Sequence, residues 1–185
     1  MKEEIGLRLA GSGGQGVILG SIILADAALA NSYYSAQSQS YGPEARGGMC
    51  KAEVIISKHE IDFPKVEKPD VLLALTQAAL DRYTREMGPD CTVVADSSLS
   101  LPYDRPNTYF VPILETAREV VHNPMTSNVV ALGALNSLAH LVDEESLERA
   151  VLKYVPKGAR EVNSIALKEG ERLTADIRPA FHMAS

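Results

Sequence analysis

Cysteine is scarce. Cys50 and Cys91 are the only two in 185 residues, and they form no CxxC pair. This excludes a disulfide framework, a four-cysteine zinc site and an iron–sulfur cluster ligated by this chain alone. Basic residues are outnumbered. Eighteen Lys and Arg face 24 Asp and Glu, for a net charge of −6, with no Lys/Arg cluster. Phosphate neutralisation needs clustered cations, so nucleic acid is not expected as a partner. Long apolar runs are also missing. The stretch Val17–Ala30 is interrupted by Asp26, and 129–142 by Asn136 and His140. Both fall short of the about 20 residues a membrane span requires. The opening residues, MKEEIGLRLAG, are too polar for a signal peptide. The expectation is a cytoplasmic protein with reduced thiols and no membrane partner. His59, His122, His140 and His182 are scattered without HxxxH spacing, so no metal site is expected.

What is present is the composition of an ordinary globular domain, 45% hydrophobic and 23% charged. A chain of this length buries about 70% of its unfolded surface and needs no staples. We expect one domain over residues 1–170 and a polar tail over 171–185, because the helical signal fades after Gly170. Ile5, Leu7 and Leu9 alternate into Gly11, a strand that ends in a glycine-rich turn. Ile18, Ile22, Ala25 and Leu29 recur at helical spacing across Val17–Ala30. A strand is expected over 33–38. Over 50–57, Cys50, Ala52, Val54 and Ile56 share one face, and Lys51 and Glu53 the other. That alternation predicts an antiparallel strand with one solvated face. The runs 71–75 and 92–95 are continuously apolar, as buried parallel strands are. A helix is expected over 77–87 and a weak strand over 107–111. Three helices follow: 129–142, one capped by Asp143 with Leu147, Ala150, Val151 and Tyr154 inward, and one through Val162, Ile165 and Ala166. Strands alternating with helices predict an α/β fold. It is a three-layer Rossmann-like sandwich with a mostly parallel sheet and one antiparallel strand.

Two motifs stand out. The first is Gly11-Ser12-Gly13-Gly14-Gln15-Gly16, a GxGxxG between strand and helix. Glycines let the backbone turn tightly and let an anion reach the N–H groups at a helix N-terminus. A dinucleotide site also needs an acidic residue about 20 residues on, for the ribose. Here that region reads Gln37-Ser38-Gln39-Ser40. A P-loop needs Lys and Ser/Thr where this chain has Val17 and Ile18. Nucleotide binding and a turn that merely permits close packing both stay open. The second motif is Tyr41-Gly42-Pro43-Glu44-Ala45-Arg46-Gly47-Gly48. Gly-Pro fixes a turn, Gly-Gly opens positive φ, and Tyr41, Glu44 and Arg46 are the side chains presented. Tyr and Arg are favoured anchors of buried interfaces. Asp96-Ser97-Ser98 after a strand reads as a turn and cap.

Together, GSGGQGV and SYGPEARGG resemble the gamma subunit of 2-oxoacid:ferredoxin oxidoreductases, of the 2-oxoglutarate or 2-ketoisovalerate type. The resemblance extends to the strand 50–57, the run 70–75, Asp96, the helix with Asn128, Ala131, Leu132 and Gly133, and Asn163 with Gly170. It implies an assembly. Such complexes decarboxylate a 2-oxoacid on thiamine diphosphate with magnesium, pass electrons through iron–sulfur clusters to ferredoxin, and form an acyl-coenzyme A. Those cofactors belong to partner alpha, beta and ferredoxin-like delta subunits, and none is expected on this chain alone. Within such an assembly we expect residues 11–16 to bind an anion such as a phosphate of coenzyme A, residues 41–48 to dock on the thiamine-binding subunits, and no catalytic residue on this chain. A free-standing nucleotide-binding oxidoreductase and a pure scaffold are the alternatives.

Overall fold

A computed structural model describes residues 2–40 and 49–177. The chain runs β1 (Glu4–Ser12), α1 (Val17–Ala30), β2 (Tyr34–Ser40), β3 (Met49–Ser57), β4 (Val71–Ala74), α2 (Gln77–Glu86), β5 (Thr92–Asp96) and β6 (Thr108–Val111). Then come α3 (Ile113–Glu115), a π-helical turn (Thr116–Val120), α4 (Ser127–Ala139), α5 (Glu144–Tyr154) and α6 (Arg160–Arg172). The six strands form one sheet in the order β2-β3-β1-β4-β5-β6. β3 runs antiparallel to both its neighbours, β1 and β2. The pairs β1–β4, β4–β5 and β5–β6 are parallel. The expected α/β sandwich with one antiparallel strand is therefore the fold. The strand expected over 33–38 extends to Ser40, because pairing with β3 continues to Lys51.

Helices cover both faces. On the larger face α1, α4, α5 and α6 pack on Ile5, Leu7, Leu9, Val54, Ile56, Val71 and Val94. α4 is buried along nearly its whole length because α6 lies directly against it. A Cβ on Gly133 would collide with the Leu167 carbonyl oxygen, and one on Gly170 with that of Val130. The two backbones touch, which only glycine at both crossings permits. The turn after α4 is held by Asn136, whose Oδ1 accepts from Leu141 N and Val142 N and whose Nδ2 donates to Val142 O. Asp143 caps α5 as expected, accepting from Ser146 N. That hydrogen bond holds its carboxyl below the usual value.

Three expectations are corrected here. The boundary at Gly170 falls inside α6. Thr174, 1% exposed, donates to Ala134 O at 2.9 Å, so the packed chain continues beyond the helix. Gly170 marks a helix crossing and not a helix end; residues 178–185 lie outside the described residues. Tyr154, expected on the inner face of α5, is exposed.

The third correction concerns the expected solvated face of β3. Glu53 is 7% exposed. It lies directly opposite Arg8 of β1, itself 6% exposed, and accepts from Arg8 Nε at 2.8 Å. Arg8 also donates to Val66 O at 3.3 Å and lies 5.1 Å from the Tyr83 ring centroid on α2. Alternation marks which face a charge occupies. It does not reveal a countercharge on the neighbouring strand that allows the pair to be covered. Removing one partner of a buried pair leaves the other charge uncompensated, which costs about 3 kcal/mol or more. Glu53→Ala should lose that much stability in urea unfolding, and the double variant Arg8→Met, Glu53→Leu should recover most of it.

At the groove between α5 and α6, burial first, and then Glu144 and Glu148, hold the Glu171 carboxyl above its ordinary value. A carboxyl raised in the folded state opposes folding when ionised. That penalty is complete above the folded-state pKa and vanishes as pH falls below the unfolded value of about 4.3. Glu171→Gln should raise the melting temperature at pH 7. The gain should close on acidification through that window, as followed by calorimetry.

Candidate functional site

The candidate site lies at the carboxyl edge of the parallel strands. Chain direction reverses there: from β1 the chain crosses by α1 to β2 on one side, while β4 lies on the other. Crevices at such a switch point are where open α/β sheets bind ligands. Residues 11–16 form the turn at this point. Gly14 and Gly16 take φ of 92° and 69°, and Gly16 is the left-handed N-cap of α1 with no side-chain cap. α1 carries no acidic residue in its first turn. The N–H groups of Gly13, Gly14 and Gly16 meet no acceptor among the described residues. Among the described residues, a Cβ placed on Gly13 would touch nothing within 4 Å. This is a small, open set of donors at a positive helix end, suited to an anion. Val17 and Ile18 stand where a P-loop has its Lys and Ser/Thr, so the turn itself carries no cation to grip a triphosphate.

Two side chains shape the turn, and neither role was legible from the sequence. Gln15 Oε1 accepts from Ser12 N at 2.7 Å, and its Nε2 donates to Leu75 O at 3.3 Å. Asn128, 6% exposed at the start of α4, donates to Gly16 O at 3.3 Å. A Cβ on Gly16 would lie 2.6 Å from Asn128 Nδ2. Gly16 is therefore required twice, by its left-handed φ and by the amide against its Cα. The only available signal for Asn128 was its place among the residues of the resemblance.

The other described loops of this edge are tied by their own hydrogen bonds. Asp96, fully buried at the end of β5, accepts from Ser98 N at 3.0 Å and Leu114 N at 2.8 Å. The Asp96-Ser97-Ser98 triplet is a turn, as read from the sequence, but no helix follows it; Asp96 accepts instead from Leu114 N in α3. Thr76 caps α2 by accepting from Ala79 N. The predicted docking residues Tyr41, Gly42, Pro43, Glu44, Arg46, Gly47 and Gly48 lie outside the described residues. Their flanks do lie at this edge: Ser40 is opposite Lys51, and Met49 is opposite Ser12.

The donor set for metal chemistry is thin. No group of three His, Cys, Asp or Glu converges among the described residues. Burial pushes the Cys91 thiol up to about 11 and raises Cys50 as well, away from the thiolate that ligates metal. Two such cysteines do not fit a cluster that needs four thiolates. Among the described residues no helix is long and apolar enough to cross a membrane.

Comparison with known proteins now bears on this geometry. The 2-oxoglutarate synthase subunit KorC of Methanocaldococcus jannaschii is 43% identical over 182 residues, 96% of each chain. The KorC subunit of Archaeoglobus fulgidus is 36% identical over 94% of this chain and 92% of its own. The keto/oxoacid ferredoxin oxidoreductase gamma subunit of Geobacter sulfurreducens superposes with a TM-score of 0.82 at 40% identity, over 91% of this chain and 96% of that one. A 2-oxoglutarate:ferredoxin oxidoreductase from Magnetococcus marinus shares the fold over all of this chain and 34% of its own, with a TM-score of 0.87 at 23% identity. Residues 6–173 match the family model described as pyruvate ferredoxin/flavodoxin oxidoreductase, and the chain belongs to that family.

Proposed function

We propose that this chain is the gamma-type subunit of a 2-oxoacid:ferredoxin oxidoreductase acting on 2-oxoglutarate, and that it is not catalytic alone. The observation that carries the reading is 43% identity with a 2-oxoglutarate synthase subunit along nearly the full length of both chains. The complex would oxidatively decarboxylate the 2-oxoacid to its acyl-coenzyme A and pass electrons to ferredoxin. Thiamine diphosphate, magnesium and the iron–sulfur clusters would reside on alpha, beta and ferredoxin-like delta partners in the cytoplasm. The scarcity of thiols and the lack of a converging acidic group among the described residues support that division.

Within the assembly, this chain would contribute its carboxyl edge. The N–H groups of Gly13 and Gly14, which meet no acceptor among the described residues, would receive a phosphate of coenzyme A, helped by the positive end of α1. Tyr41, Glu44 and Arg46 would dock on the thiamine-binding subunits, with Arg46 as the anchor. A guanidinium grips a carboxylate by two parallel bonds, whereas Lys offers a point charge.

Complexes rebuilt with variants of this chain test both contacts. Gly13→Asp adds a carboxylate where space is open, so it should leave the melting temperature unchanged and weaken coenzyme A in 2-oxoglutarate-dependent dye reduction at least tenfold. Arg46→Ala should weaken co-purification by about 2 kcal/mol or more, as for a buried anchor, and Arg46→Lys should restore only part of it. Unchanged coenzyme A dependence in Gly13→Asp would leave the turn as a packing device. Unchanged assembly in Arg46→Ala would move the interface elsewhere.

A further inference from the structure

The amide of Gln15 is a cross-strand bridge. Ser12 ends β1, and Leu75 follows directly on β4. By accepting from Ser12 N and donating to Leu75 O, one side chain joins the carboxyl ends of the two parallel strands at the switch point. Its Oε1 lies so near Gly11 that a Cβ there would come within 2.6 Å. The first glycine of the motif thus makes room for the chain's own amide.

A dinucleotide lies across this crevice, one half on each side of the switch. Here the β1–β4 half is already filled. Displacing Gln15 would strip the Ser12 N–H and the Leu75 carbonyl of their partners together. A phosphate accepts hydrogen bonds and could satisfy Ser12 N–H, but at neutral pH it has no proton to offer Leu75 O. A stranded polar group costs more than the bond it replaces. Among the described residues, a Cβ on Gly13 or Gly14 meets nothing within 4 Å and their N–H groups meet no acceptor.

We propose that Gln15 is a specificity-determining residue that closes the β1–β4 half of the crevice to the second half of a dinucleotide. The turn is left open only to a ligand that brings a phosphoryl group over Gly13 and Gly14 from the β2 side. This concerns what the turn rejects, so it stands or falls separately from the coenzyme A reading. It also accounts for a GxGxxG turn in a chain whose second strand ends in Gln37-Ser38-Gln39-Ser40 instead of an acid.

The test is a titration of the isotope-labelled full chain with NADH, read at the Ser12 and Leu75 amides. In the parent, NADH should leave both amides unmoved. In Gln15→Ala it should shift both, with an association constant at least tenfold above the parent's limit. Gln15→Glu keeps an acceptor for Ser12 N and adds negative charge, so it should stay closed. If Gln15→Ala does not fold, Gln15→Ser carries the same expectation. NADH shifts at Ser12 and Leu75 in the parent would overturn the proposal, and so would a gain below tenfold in the opened variant.

Discussion

The amide of Asn128 packs against the Cα of Gly16, and the arrangement of this molecule's working edge follows from that contact. Gly16 is the left-handed residue from which α1 begins. Asn128 belongs to the first turn of α4, the most buried helix. α4 is in turn pressed backbone to backbone on α6 through Gly133 and Gly170. The position of a surface turn is thereby set by three consecutive glycine crossings that reach from the sheet edge to the last helix. Adding a single methyl group at any of them forces backbone or a buried amide to move. Close packing transmits such shifts because there is no slack to absorb them.

Much of this was readable from residues alone, for identifiable reasons. The helix Val17–Ala30 is bracketed by a glycine turn and a polar break, so its limits are those expected. β4 and β5 are unbroken apolar runs because both their faces are covered. β3 was recognisable as antiparallel because no helix separates it from β2. What stayed hidden depends on pairs distant in the chain. Arg8 and Glu53 each look like solvent-facing charges until register sets them opposite one another. Gln15 and Asn128 are ordinary polar residues by type, and only the fold brings their amides against Gly11 and Gly16. Gly170 reads as a helix breaker, yet it is a contact point inside α6.

Among the described residues, the site offers N–H groups without an acceptor at a positive helix end, and Asp96, fully buried at this edge, is spent on hydrogen bonds that tie β5 to the segment after β6. Both thiols are held above their ordinary pKa by burial. Such an edge can orient a ligand or receive a partner, which suits a subunit of a larger oxidoreductase complex.

The central claim is that this chain works by presenting its carboxyl edge within a larger assembly. Amide hydrogen exchange on the chain alone and within the co-purified complex tests it most directly. The account predicts strong protection on assembly at residues 11–16 and at the strand ends Ser40 and Met49. Exchange at the opposite edge, around Lys58 and Asp70, should be unchanged. Equal exchange at the carboxyl edge in both states would contradict it, as would 2-oxoglutarate oxidation by the purified chain alone.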